Sequence, residues 1–128
     1  HLAAAMAQPG WQAAHGLPDQ PLHGCLPVSG LFELAPLAAS HVQDWMRFSP
    51  DELAQSPMRH PPLGLRGVVA LAAGKGEAPG FHRQSEAYAA LTGWPLMRID
   101  GRNHFDVILD LADGTSDLSR ALIDLTRA

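Results

Sequence analysis

Apolar and polar positions change period several times along this chain, and each period predicts an element. Gly67-Val68-Val69-Ala70-Leu71-Ala72-Ala73 is an unbroken apolar run of strand length, the pattern of a strand covered on both faces in a parallel sheet. The segment from Phe81 to Thr92 has helical spacing, with Tyr88 and Leu91 on one face and His82, Arg83 and Glu86 on the other, and Gly93 ends it. Trp94 to Ile99 supplies a second short strand. Leu118, Ala121, Leu122 and Leu125 then recur at i, i+3, i+4 and i+7 behind an N-cap at Thr115 or Ser116, the clearest helix in the chain. Strand, helix, strand, helix is the alternation of an α/β protein with a mostly parallel sheet and flanking helices.

The first half is less regular. Leu2 to Ala7 is a good helix-forming run that begins without a capping residue, and we expect a helix whose start lies before His1. His23 to Gly30 predicts a short strand, with Pro27 at its end or at a bulge because proline has no N–H to donate. From Leu31 to Arg59 apolar and polar residues follow no single period, with a weakly helical stretch from Pro36. Within it Ser49-Pro50-Asp51-Glu52 is a capping box that starts a helix over about 50–55, stopped by Ser56-Pro57. Two or three parallel strands leave open edges, so the chain looks like part of a fold rather than a closed one.

Composition narrows the classes of function. The chain has 128 residues, 46% of them apolar, and a formal net charge of -4, as in an ordinary globular domain. Its nine Lys and Arg residues are scattered, so no basic patch steers it to nucleic acid. No apolar run approaches the ~20 residues that span a bilayer. The single Cys25, among Gly24, Leu26 and Val28, reads as a small core residue in a reducing compartment, and we expect a cytoplasmic protein. The seven histidines include no H-x-x-x-H or H-E-x-x-H pair, so neither a metal nor another cofactor is expected. His15, His23, His41, His60 and His82 read as surface or loop residues.

Candidate chemistry sits in two strand-end loops. Glu77 lies in Gly74-Lys75-Gly76-Glu77-Ala78-Pro79-Gly80 after the first long strand, and His104 in Gly101-Arg102-Asn103-His104-Phe105 after the next. Adjacent parallel strands bring such loops together at the face where α/β sheets bind ligands. A carboxylate there can accept a hydrogen bond from the imidazole Nδ1–H, fix the tautomer and stabilise the imidazolium of acyl transfer. Acid before histidine is also the chain order of the last two members of an α/β-hydrolase triad. Asp106 and Asp110 are alternative orienting acids, with surface or capping roles as the plainer reading.

Three stretches carry a resemblance: Val28-Ser29-Gly30-Leu31-Phe32-Glu33-Leu34-Ala35-Pro36-Leu37, Phe81-His82-Arg83-Gln84-Ser85 and Gly101-Arg102-Asn103-His104-Phe105. In this order they resemble the kynurenine formamidase (arylformamidase) group of the α/β-hydrolase fold. His1-Leu2-Ala3-Ala4 is similar to the helix that follows the group's nucleophile elbow, a GHSAGGHLA-like sequence. The resemblance implies that residues 1–128 form the C-terminal part of one α/β-hydrolase domain, with about 31–60 as a cap-like insertion.

It also implies hydrolysis of N-formyl-L-kynurenine to L-kynurenine and formate, with His104 as triad histidine and Glu77 as triad acid. Glutamate departs from the usual aspartate of a DSPEF-like segment, although both are competent in such triads. The serine and the oxyanion hole would lie before His1, in the N-terminal half of the same fold. Leu31, Phe32, Trp45 and Phe105 are candidate contacts for a small aromatic substrate. The seven serines present lack the glycine spacing of an elbow, and Ser29 reads as a strand-end hydroxyl. Two alternatives stay open: a small-acyl carboxylesterase of the hormone-sensitive-lipase-like type, and a non-catalytic fragment or binding module. A homodimer is left open as well.

Overall fold

The computed structural model describes residues 1–74 and 76–127. In chain order it contains helix α1 (Leu2–Met6), a 3-10 turn at Ala13–His15, and three short helices, α2 (Ala35–Ala38), α3 (Gln43–Met46) and α4 (Pro50–Ala54). Strand β1 (Val69–Ala72), helix α5 (Pro79–Thr92), strand β2 (Leu96–Ile99), a 3-10 segment at Val107–Ala112 and helix α6 (Asp117–Thr126) follow. The expected capping box is formed: Glu52 N–H donates to Ser49 Oγ at 3.2 Å, and Ser49 N–H donates to Glu52 Oε2 at 2.8 Å. Ser116, rather than Thr115, caps α6, accepting from Ser119 N–H at 3.0 Å.

β1 and β2 pair in parallel, Val69 opposite Leu96 through Ala72 opposite Ile99. All four residues of β1 are buried, as an apolar strand inside an α/β layer requires. The predicted strand at 23–30 runs along the other side of β1 and is extended rather than a full strand. Cys25 N–H donates to Arg66 O, Val68 N–H to Cys25 O, Ala70 N–H to Pro27 O and Ser29 N–H to Ala70 O. The missing rung is Pro27's own, since its nitrogen carries no hydrogen. The ladder therefore breaks into two isolated bridges, Cys25 with Gly67 and Val28 with Ala70. It ends at Ser29, whose φ of +42° turns the chain away.

The main core joins α1, the Cys25 segment, β1 and α5. Phe32 stacks flat on Tyr88, with centroids 4.1 Å apart and rings 1° from parallel, and Trp94 meets Tyr88 edge-on at 6.0 Å. Trp94 lies just before β2, not inside it, and its ring covers Gly67, where a Cβ would sit 2.3 Å from the indole. Its Nε1 donates to Leu65 O at 2.9 Å. Two expected helix faces are narrower than their spacing predicts. On α5 the buried residues are Ser85, Tyr88 and Ala89, with Leu91 exposed; on α6 they are Leu118, Ser119 and Leu125, with Leu122 exposed. No helix among the described residues is long and apolar enough to cross a membrane.

Candidate active site

Three parallel chain segments end side by side, and each delivers one side chain. The Cys25 segment ends in Ser29, β1 leads into Glu77, and β2 leads into His104. Glycine makes the two loops close. Gly74 N–H donates to Arg102 O at 2.7 Å, and a Cβ on Gly74 would lie 2.3 Å from that oxygen, so only glycine allows this approach. Gly76, with φ +99°, then turns the chain into α5, which starts with Pro79 at its first position.

The histidine turn is braced by its own residues. Asn103 N–H and Nδ2 donate to the two oxygens of Asp106 at 2.6 and 3.0 Å, while Phe105 N–H donates to Asn103 Oδ1 at 2.8 Å. Arg102 forms an ion pair with Asp110 at 2.7 Å. Asp106 and Asp110 are thus committed to the turn backbone and to Arg102, and the acid that meets His104 is Glu77.

His104 Nδ1 lies 3.2 Å from Glu77 Oε1. The Glu77 side chain is 0% exposed and that of His104 34% exposed, so the acid is sealed beneath an imidazole that reaches the surface. With Nδ1 directed to a carboxylate, Nε2 is the nitrogen free to exchange a proton. Phe81, in the first turn of α5, lies against the imidazole with centroids 4.2 Å apart and planes 33° apart. Ser29 Oγ donates to the acid's other oxygen, Oε2, at 3.3 Å and accepts Ala72 N–H at 3.0 Å. This hydroxyl faces the carboxylate, which agrees with reading Ser29 as a strand-end group. Its hydrogen bond to the acid is not visible in sequence.

The proposed substrate contacts divide. Phe32 is 0% exposed and stacked in the core on Tyr88, so it cannot touch a substrate; its expected role is corrected to packing. Phe105 is 86% exposed and meets the His104 ring edge-on at 5.4 Å, beside the pair. Trp45 is 74% exposed on α3 and meets His41 edge-on. Leu31 helps line a hollow of about 240 Å³ with Pro36, Leu37 and Gly80, at the entry to α5. A cavity of about 520 Å³, lined by residues such as His1, Met6, Trp11, Leu34 and Phe48, includes neither Glu77 nor His104.

Gln84 has a role that its sequence context does not disclose. Its Oε1 accepts the N–H groups of Phe32 and Glu33 at 2.6 and 2.8 Å, and its Nε2 donates to Glu33 O at 3.0 Å. One side chain of α5 thereby pins the start of the 31–60 segment to the helix that begins at the acid loop. Among the described residues no group of three or more His, Cys, Asp or Glu side chains is placed to hold a metal ion.

The chain is similar to a solved structure from Silicibacter sp. TM1040 that is provisionally described as a thioesterase. The likeness has a TM-score of 0.67 at 26% sequence identity, and it covers 77% of this chain and 37% of that one. The chain thus spans little more than a third of the length of that neighbour. No family model matches the chain, and no curated protein matches it.

Proposed function

We propose that this chain carries the acid and histidine of a serine-hydrolase centre in an α/β-hydrolase fold. The nucleophilic serine and the oxyanion hole would come from residues before His1. The observation that carries the reading is the contact between buried Glu77 and half-exposed His104 at the ends of adjacent parallel strands. Likeness to a larger structure described as a thioesterase supports the same chemistry, since thioester, ester and formamide hydrolysis share an acyl-transfer step.

In the proposed reaction His104 Nε2 takes the serine proton as the hydroxyl attacks the acyl carbon, and later gives it to the leaving group. Glu77 holds the ring through Nδ1 and stabilises the imidazolium. Water, activated by the same imidazole, then releases the acyl group and regenerates the serine. The substrate we propose is N-formyl-L-kynurenine, whose leaving group is an aniline nitrogen. The kynurenine formamidase-like motifs support it: Ser29 and His104, from two of them, both bond Glu77, and Phe81, from the third, lies against His104. Segment 31–60 would act as the cap, with Phe105 and Leu31 nearest an aromatic substrate.

A second reading, thioester hydrolysis, is favoured by the neighbour's description. Turnover of N-formyl-L-kynurenine, a short acyl thioester and p-nitrophenyl acetate by the complete polypeptide separates the readings. The formamide should turn over fastest, and negligible formamide turnover beside fast thioester or ester turnover overturns the substrate. His104→Ala should lower turnover of whichever substrate is used by about 10⁴-fold or more. Near-normal activity in that variant refutes the centre itself.

A further inference from the structure

We propose that the Ser29 hydroxyl is a positioning group for the Glu77–His104 pair, holding carboxylate oxygen Oε2 so that Oε1 stays aimed at His104 Nδ1. The inference rests on reading Glu77 and His104 as a catalytic pair.

Hydrogen-bond bookkeeping fixes the direction of the contact. A serine hydroxyl has one proton and two lone pairs. Ala72 N–H can only donate, so it takes a lone pair at 3.0 Å and leaves the hydroxyl proton to the carboxylate at 3.3 Å. The hydroxyl is thereby oriented by the end of β1, the strand that leads into the acid. Glu77's side chain is wholly buried, and its two oxygens are divided between Ser29 and His104. Rotation about the terminal bond of the glutamate, otherwise a soft torsion, would break both contacts together.

The backbone gives an independent reason to assign Ser29 a role. Its φ is +42°, in the left-handed region where a side chain is strained and glycine is not. Glycine would make this turn more easily, and the next residue is already Gly30. What serine provides at that conformation is the hydroxyl. Strain held by an over-determined contact at a reactive centre is a recognised pattern, and here the contact is named. The turn has a second consequence: it takes Ser29's carbonyl out of the ladder, and the side-chain oxygen receives the Ala72 amide in its place.

The test is the tautomer of His104, read from the ring nitrogen shifts in long-range ¹H–¹⁵N spectra of the 128-residue chain. Spectra are taken at about pH 9, well above the ordinary imidazole value. The native chain should show Nδ1–H in large excess. Ser29→Gly, which fits the backbone and lacks the hydroxyl, should lower the Nδ1–H to Nε2–H ratio by about tenfold, the scale of one hydrogen bond to a charged group. Ser29→Ala should do the same.

An unchanged ratio in Ser29→Gly overturns the proposal and leaves the pair standing. A shift in Ser29→Ala alone assigns the effect to backbone strain and also overturns it. A native chain with mainly Nε2–H refutes the pair itself. If neither variant folds, the native chain decides by its Ser29 hydroxyl proton. Slow exchange of that proton with water in the cold supports the bond to Glu77, and fast exchange overturns it. In the complete polypeptide Ser29→Gly should lower kcat about tenfold with KM unchanged.

Discussion

Gly74→Ala is the most direct test of how the acid and histidine loops are held together. The added Cβ would lie 2.3 Å from the Arg102 carbonyl oxygen, 2.8 Å from its carbonyl carbon and 2.9 Å from its nitrogen. All three are backbone atoms, so no side chain can swing aside. Carbon–oxygen contacts normally begin at ~3.3 Å, and the histidine loop must therefore retreat by about 1 Å. That breaks the 2.7 Å bond from Gly74 N–H to Arg102 O. It also carries His104, two residues further on, away from a carboxylate it now meets at 3.2 Å, and hydrogen bonds weaken steeply beyond about 3.5 Å.

Overpacking of this kind costs about 1–3 kcal/mol. In urea, where m is about 1–3 kcal/mol/M for a small domain, the midpoint should fall by about 1 M with m unchanged. His104 ring resonances should move in the same sample. Gly80→Ala is the matched control: Gly80 lies in the first turn of α5 with open space around its Cβ position, and the change should stabilise by about 0.5–1 kcal/mol. A Gly74→Ala midpoint within error of the native value, with unmoved His104 signals, would refute the account of the loop contact.

Two further outcomes follow from burial. Phe32→Ala should destabilise by about 3–5 kcal/mol in denaturant melts, whereas Trp45→Ala, at an exposed position, should change stability by less than about 0.5 kcal/mol. The reverse order would return Phe32 to the surface. Burial also pushes the Cys25 thiol up to about 11, so at pH 8 only about one thiol in a thousand is ionised, against roughly one in four for a free cysteine. Alkylation by iodoacetamide should therefore be slow in the native chain and fast in urea. Because the folded chain holds this proton more tightly than the unfolded one, stability should fall as pH rises from the ordinary thiol value towards about 11. Rapid native alkylation at pH 8 would contradict the burial.

Elements with a regular period were legible in the sequence. The apolar block at 67–73, the α5 and α6 spacings and the Ser49 capping box all formed close to their expected limits, because local pattern and tertiary demand agree there. The Glu77–His104 juxtaposition was legible too, since parallel strands place their terminal loops together. What sequence could not supply was direction in the aperiodic stretch. Phe32 and Trp45 are both large aromatics between polar residues, yet one is sealed under α5 and the other is exposed. Nothing in their spacing distinguishes them; the Gln84 contacts, 51 and 52 residues away in the chain, do. The same holds for Gly74 and Ser29. A close backbone approach and a positive φ on a non-glycine residue are tertiary facts, written in no local pattern.

The Gln84 clamp bears on timescale. Three hydrogen bonds from one α5 side chain close on the backbone of Phe32 and Glu33, directly beside the Phe32–Tyr88 stack. Peeling this point from α5 would break all three and expose the stacked ring in one step. Such an opening belongs with sub-global unfolding on slow hydrogen-exchange timescales, not with the nanosecond fluctuations of a surface loop. The root of segment 31–60 therefore behaves as a fixed anchor. Beyond α2, by contrast, His41, Trp45 and Met46 are exposed, and no clamp of this kind ties them to α5 among the described contacts.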